Sequence, residues 1–329
     1  MDKNIKNYLS QFKFGDLQHH KNMGVYPLFC ELNHEPEYIT LADALEQRLL
    51  DISEVSHEGS VPELKVKNRA DTPVLLLDGE ELAGAKQNRV LNTTILLEKK
   101  SETVIPVSCT EQGRWSYAGA SQGFHESGTV MIPKMRMMKA RDVSDTLADS
   151  QQFRSDQGTV WTAIDEMSRI SSTHSETRAM KDVFEAKKED LDKYLDTFTC
   201  LEGQKGLVAF IDQSIVGFDF LSREAAYSQL HLKLVKSYAM EALLNKEQKT
   251  GKPDVDQAHK FLKTAAKCEE KKYRSVGLGW DYRYKEKDTV GSALKVEKKA
   301  VHIAFFRVTE SERAGRMADS TIRRRFRTV

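Results

Sequence analysis

Between Leu75 and Trp115 the chain gathers the side-chain types that chemistry needs. The stretch LLLDGEELAGAKQNRVLNTTILLEKKSETVIPVSCTEQGRW holds two dense polar groups. Glu80, Glu81, Lys86, Gln87, Asn88 and Arg89 form the first; Cys109, Glu111, Gln112, Arg114 and Trp115 form the second. Arg89 and Arg114 can each grip a phosphate through a two-pronged guanidinium, and Lys86 adds a compact positive charge. Gln87, Asn88 and Gln112 pair donors with acceptors, as recognition of a sugar or a base edge requires. Trp115 offers a flat wall for a ring. Acid/base work falls to Glu81 and Glu111, because a carboxylate at an apolar strand end has its pKa raised by burial or lowered by a neighbouring arginine.

Each of these residues also has a purely structural use. Glu81 with Arg89, or Glu111 with Arg114, could be ion pairs that fix loops. Cys109, at a strand end near Arg114, is a candidate nucleophile, but a catalytic thiol needs a base and only His125 lies within reach in sequence. A buried, inert cysteine is the competing reading. His19, His20, His125, Asp78, Glu80 and Glu81 could ligate a metal, yet none has zinc-type spacing. A cofactor is therefore not specified; a divalent ion such as magnesium, held by a carboxylate and substrate phosphates, is compatible with the residues. P-loop, G-x-G-x-x-G and G-x-S-x-G motifs are absent.

Strands must position these groups. Val74 to Leu77, Val90 to Leu97 and Val104 to Val107 are apolar runs bounded by turn formers, and pairing them would bring both polar groups to one rim. Phe12, Phe14 and the run Val25 to Phe29 predict an opening β hairpin. Thr40 predicts a helix start before LADALEQRLL, with a capping box left incomplete by Asp43. Asp51 to Ser56 and Val61 to Asn68 alternate as half-buried strands do. After Trp115 a glycine-bearing stretch has the composition of a lid or of an ordinary surface connection. Helical periodicity runs from Val143 to about Phe198, with a box at Thr173 and Glu176. GLVAFIDQSIVGFDFL predicts a hairpin turning at Asp212 to Ser214. Ser222 then predicts a cap for a helix striped by Tyr227, Leu230, His231, Leu234, Val235 and Tyr238, and His231 on that apolar face reads as a packed, hydrogen-bonded side chain. A helix at Val255 to Cys268 and three final strands follow. The fold class is α+β: largely antiparallel β layers, with packed helices in the middle and C-terminal half. Residues 1–130 form a β-rich region carrying both polar groups, and residues 131–329 a mixed region packed with it as one unit.

Composition narrows the partners. Of 329 residues, 30% are charged and 40% hydrophobic, and the formal net charge is only +1, so no chain-wide field gathers nucleic acid or an anionic membrane. The basic run Arg323, Arg324, Arg325 and Arg327 is a local exception. No apolar stretch approaches the ~20 residues that a membrane span needs, and no signal core opens the chain. Four widely spaced cysteines fit reduced thiols and a cytoplasmic location.

GEELAGAKQNR and IPVSCTEQGRW, with TLADAL, VPELKVKNR, Gln157 and Trp161, KLVKSYAMEAL and HIAFF, resemble the family named for its association with ADP-ribosylglycohydrolases and rhodanese/phosphatase-superfamily proteins, a domain of unknown function. The resemblance covers nearly the whole chain and implies a link to NAD or ADP-ribose metabolism without assigning a reaction or a catalytic residue. The expectation is a protein that binds, and as an enzyme hydrolyses, an ADP-ribose-like or other phosphorylated metabolite. The alternative is a non-catalytic nucleotide sensor or a homo-oligomeric scaffold.

Overall fold

The computed structural model describes residues 1–32, 36–56, 59–116, 123–245 and 249–313. The chain opens on a helix rather than a strand. Asp2 accepts hydrogen bonds from the N–H groups of Asn4 and Ile5 and caps α1 (Lys3–Gln11), which buries Ile5, Tyr8 and Leu9 at helical spacing. The expected hairpin follows. After β1 (Lys13–Phe14), β2 (Gln18–His20) turns back into β3 (Met23–Phe29).

Next comes β4 (Ile39–Thr40), where Thr40 caps α2 (Leu41–Glu46). Its capping box is complete, because the Asp43 carboxylate accepts from the Thr40 N–H in the role usually taken by glutamate. Eight strands follow: β5 (Leu50–Glu54), β6 (Glu63–Asn68), β7 (Val74–Leu76), β8 (Glu80–Gly84), β9 (Arg89–Leu91), β10 (Ile95–Leu97), β11 (Glu102–Cys109) and β12 (Phe124–Val130). Two differ from expectation. Val90 to Leu97 is not one strand, since β9 and β10 pair into different sheets across a turn of Asn92, Thr93 and Thr94. Glu80 and Glu81, read as a cluster after a strand, lie within one.

The middle of the chain is helical: α3 (Pro133–Ser150), α4 (Gln157–Ser171), α5 (Met180–Ala186) and α6 (Lys188–Leu195). The expected box at Thr173 and Glu176 does not form, for α5 starts after Ala179 without a side-chain cap. The hairpin β13 (Gly206–Ile211) to β14 (Ser214–Leu221) turns through Asp212 and Gln213, both at positive φ. Then α7 (Glu224–Leu244) begins after Arg223, without the cap expected from Ser222. His231 is packed as expected: its ring nitrogens meet Tyr227 Oη at 3.0 Å and the Phe198 carbonyl at 2.8 Å. Asp254 caps α8 (Val255–Ala265), and β15 (Glu269–Arg274), β16 (Trp280–Glu286), β17 (Thr289–Val296) and β18 (Lys299–Arg307) finish the described chain. The basic run at Arg323 to Arg327 lies outside the described residues, as does part of the glycine-bearing stretch, 117–122.

The architecture is α+β with mostly antiparallel sheets. A nine-stranded sheet has the order β1-β3-β13-β14-β18-β17-β16-β15, with β2 also on β3; it draws strands from both sides of residue 130. A six-stranded sheet, β12-β8-β9-β11-β6-β5, carries the polar groups, and a three-stranded sheet, β10-β7-β4, contains the parallel pair β4–β7. One face of the large sheet packs Ile5, Leu9, Phe218, Phe220, Phe261 and Phe305 with α1 and α8. Another core joins Val90 of β9 to Met180, Phe184, Leu230 and Leu234 of the helices.

A fully buried charge network lies where α3 meets the sheets. Arg136 of α3 donates to both carboxylate oxygens of Asp219, at 2.9 and 2.7 Å, and to Asp78 at 3.3 Å. Lys139, one turn on, meets Asp78 at 2.7 Å. Tyr238 Oη donates to Asp219, His302 bridges Asp219 and Thr94, and Arg283 with Asp281 holds Thr93. Burial opposes charge on Asp219, but Arg136 and His302 hold its carboxyl well below the usual range. The network ties the loops around β9 and β10 to β14, β16 and β18.

Candidate functional site

The two polar groups meet at the β8–β9 turn. Gly84, at φ +124°, allows the turn, because a Cβ there would sit 2.6 Å from the Gly123 carbonyl oxygen. The Asn88 side chain accepts from the Gly84 N–H at 3.1 Å and closes the loop. Arg114 clasps it from the second group. Its Nε and Nη2 donate to the two oxygens of Glu111 at 2.9 and 2.6 Å, its Nη1 to the carbonyls of Ala85 and Ser116 at 2.6 and 2.9 Å, and its Nη2 also to Asn88 Oδ1 at 3.2 Å. Glu111 in turn accepts from the Asn88 N–H. Burial works against its charge, yet Arg114, Thr177 and Asn88 hold the Glu111 carboxyl below its usual value. This is a latch: the Arg114 fork is engaged by protein, so a phosphate would have to displace Glu111. Gln87 reaches toward the Gln112 carbonyl, while the exposed Gln112 side chain accepts from Arg178.

Strand register divides the remaining residues between two faces. Glu81 pairs with Val90 and Val90 with Ser108, whereas Leu82 pairs with Arg89 and Arg89 with Cys109. Directly opposed residues share a face and successive residues alternate. Glu81 therefore points toward the helices with Val90, while Arg89 and Cys109 point to the other side, where Leu82, Leu91, Val107 and Ile52 pack. One pocket surrounding all the predicted residues is not what the register builds.

On the second face Arg89 is wholly buried. Its Nη1 donates to the Gln87 backbone and side-chain oxygens at 3.0 and 3.2 Å, and its Nη2 stands 3.6 Å from the Glu54 carboxylate. Neither Glu54 oxygen, nor Nε or Nη2 of Arg89, has a hydrogen-bond partner among the described residues. The half-exposed Trp115 ring covers the pair, with the Arg89 guanidinium 5.5 Å and the Lys86 ammonium 5.6 Å from its centre. Cys109 is buried here too. Burial pushes its thiol up to about 11 despite Arg89, and its backbone exchanges hydrogen bonds with the Gln157 carboxamide at 2.8 and 2.9 Å. Those are the features of an inert, structural cysteine rather than an activated one.

On the first face Glu81 is the chemically distinct group. It is wholly buried; Oε1 accepts from Thr110 Oγ1 at 2.6 Å, and Oε2 has no partner in hydrogen-bond geometry. Burial raises its carboxyl to about 7, outweighing the Thr110 and Ser127 hydroxyls and the charge of Lys181, and nearby Glu111 adds to the rise. Lys236 of α7 also feels the Glu81 charge, and burial lowers its own pKa. Lys233, also of α7, joins Glu80, at 2.8 Å, to Glu126, neither of which shares the Glu81 register position. Thr110, Ser127, Lys181, Lys233 and Lys236 did not figure among the sequence candidates. Only Thr110, inside SCTEQGRW, was adjacent to one; the others arrive on β12, α5 and α7.

Among the described residues no group of three or more His, Cys, Asp or Glu side chains is placed to hold a metal, and no helix is long and apolar enough to cross a membrane. Comparison with known proteins finds no matching curated protein and no matching solved structure. A family model, the ARG and Rhodanese-Phosphatase-superfamily-associated Protein domain, matches residues 11–306, which takes in every strand and helix described above except α1, whose last residue alone it reaches, and the final residue of β18. Both polar groups and the Glu81 environment lie inside that match, and the chain belongs to this family.

Proposed function

We propose that this is a cytoplasmic protein that binds a small phosphorylated metabolite of the ADP-ribose type against the helix-facing side of the six-stranded sheet and hydrolyses it with Glu81 as acid/base catalyst. The observation that carries the reading is the state of Glu81: buried, its carboxyl raised to about 7, with Oε2 outside hydrogen-bond geometry and the charges of Lys181 and Lys236 acting on it. A group with that pKa holds both forms at neutral pH, which suits general acid/base work. In hydrolysis the anionic form takes a proton from water as the water oxygen bonds to the ligand's phosphorus; the P–O bond to the leaving group breaks, and the proton passes to the departing oxygen. Lys181 and Lys236 supply the charge for phosphate in place of Arg114, which the latch occupies. Glu81 is covered in the free chain, so substrate must displace part of that cover to reach it. The unpaired state of all four cysteines accords with a reducing compartment.

The test is a thermal-shift panel of NAD, ADP-ribose, nucleotides and sugar phosphates, followed by product analysis. A ligand at 100 times its dissociation constant stabilises by about 2.7 kcal/mol. The proposal expects one such ligand, with product formed by the natural chain and none by Glu81→Gln. Stabilisation without product favours a second reading, a nucleotide sensor, and no shift favours a scaffold. The closed Glu111–Arg114 latch is the observation on that side, since it spends the best phosphate-binding fork on holding a loop.

A further inference from the structure

A groove of about 970 Å³ lies at the C-terminal end of α7, between α3, α4 and the turn after β18. Its walls are apolar where Met135, Met138, Met167 and Leu244 line it. Four carboxylates, Asp156, Glu166, Glu241 and Glu312, also line it, against one lysine, Lys134. Glu166 is shared with Arg169 at 2.6 Å, and Glu241 accepts from the Lys134 N–H at 2.6 Å, at the start of a helix whose N-cap, Ile132, has no side chain to cap it. Burial, with a smaller push from Glu312, raises the Glu241 carboxyl to about 7 against the pull of Lys134. An apolar floor with an acidic surround fits a cationic amphipathic segment.

The chain contains one. Residues 314–329 read AGRMADSTIRRRFRTV, with five arginines against one aspartate. Ile322, Phe326 and Val329 stand at i, i+4 and i+7, the spacing of one helix face; Arg323, Arg324 and Arg327 lie off that stripe and Arg325, at i+3, borders it. Glu312, a groove residue, precedes the segment by two positions, and the nine residue steps from Arg313 to Ile322 can extend about 30 Å. Reach is no obstacle. We infer that the groove between α3, α4 and α7 is the docking site of this chain's own segment 314–329, with Ile322 and Phe326 against the methionines and the arginines against Glu166, Glu241 and Glu312.

Amide hydrogen exchange on the full chain tests this. The fourfold variant Arg323→Glu, Arg324→Glu, Arg325→Glu and Arg327→Glu should exchange at least tenfold faster than the natural chain in the first turns of α3 and α4 and the last turn of α7, with β13 and β14 unchanged. A chain ending at Arg313 should show the same pattern, and so should the double variant Glu166→Lys, Glu241→Lys. Unchanged exchange in those turns in the fourfold variant overturns the inference. Protection that grows with protein concentration also overturns it, because the occupant would then be a second copy.

Discussion

Glu81 concentrates the functional question in one side chain, and its raised pKa has a consequence for stability whose sign is fixed. A carboxyl that holds its proton more tightly when folded favours folding below its ordinary value of 4.5 and loses that contribution as pH rises through about 7. Glu81→Gln keeps an acceptor for Thr110 but has no charge to bury. Relative to the natural chain, the variant should gain about 3 kcal/mol at pH 8 and almost nothing at pH 4, read from denaturant melts at the two pH values. Equal effects at both would mean that the carboxylate is not strained by burial. Cys109 gives the opposite expectation. With its thiol pushed up to about 11, iodoacetamide at neutral pH should modify half-buried Cys200 before it, as peptide mapping would show. Preferential labelling of Cys109 would restore it as a nucleophile.

At the scale of elements, α3 is the pin that holds the sheets together. Asp219→Asn removes the charge facing Arg136 where both side chains are wholly buried, and breaking a buried pair of this kind costs about 3–5 kcal/mol. Urea denaturation should show that loss, and a change below about 1 kcal/mol would contradict the role assigned to the network. None of this was legible from the sequence, since Arg136 stands 58 residues from Asp78 and 83 from Asp219. What was legible was local. The stripe from Tyr227 to Tyr238 reads as a buried helix face, and each of its members is buried. The cap at Thr40 and the turn at Asp212 follow from short-range chemistry. By contrast β8 was hidden, because Glu80 and Glu81 break an apolar pattern and are made tolerable by Lys233 and Thr110 from elsewhere in the chain. Opposite projection of Glu81 and Arg89 depends on register, which composition does not encode.

The whole molecule joins a nine-stranded sheet, two smaller sheets and a set of helices, and the polar motifs of one stretch are shared among three tasks. Arg114 and Glu111 lock a loop, Arg89 and Glu54 sit beneath Trp115, and Glu81 turns toward α5 and α7. Concentration of polar residues in sequence thus merged into one cluster what strand register separates onto two faces. Under the functional proposal, binding on the helix side should change the protonation of Glu81 before any turnover is seen. The most direct measurement is a carbon NMR titration of glutamate-labelled protein, with the Glu81 carboxyl signal assigned by its loss in Glu81→Gln. A midpoint near 7 that moves when ADP-ribose is added is the predicted result. A midpoint between 4 and 5, or one that no phosphorylated ligand in the panel displaces, would contradict the assignment of Glu81 as the working acid and base.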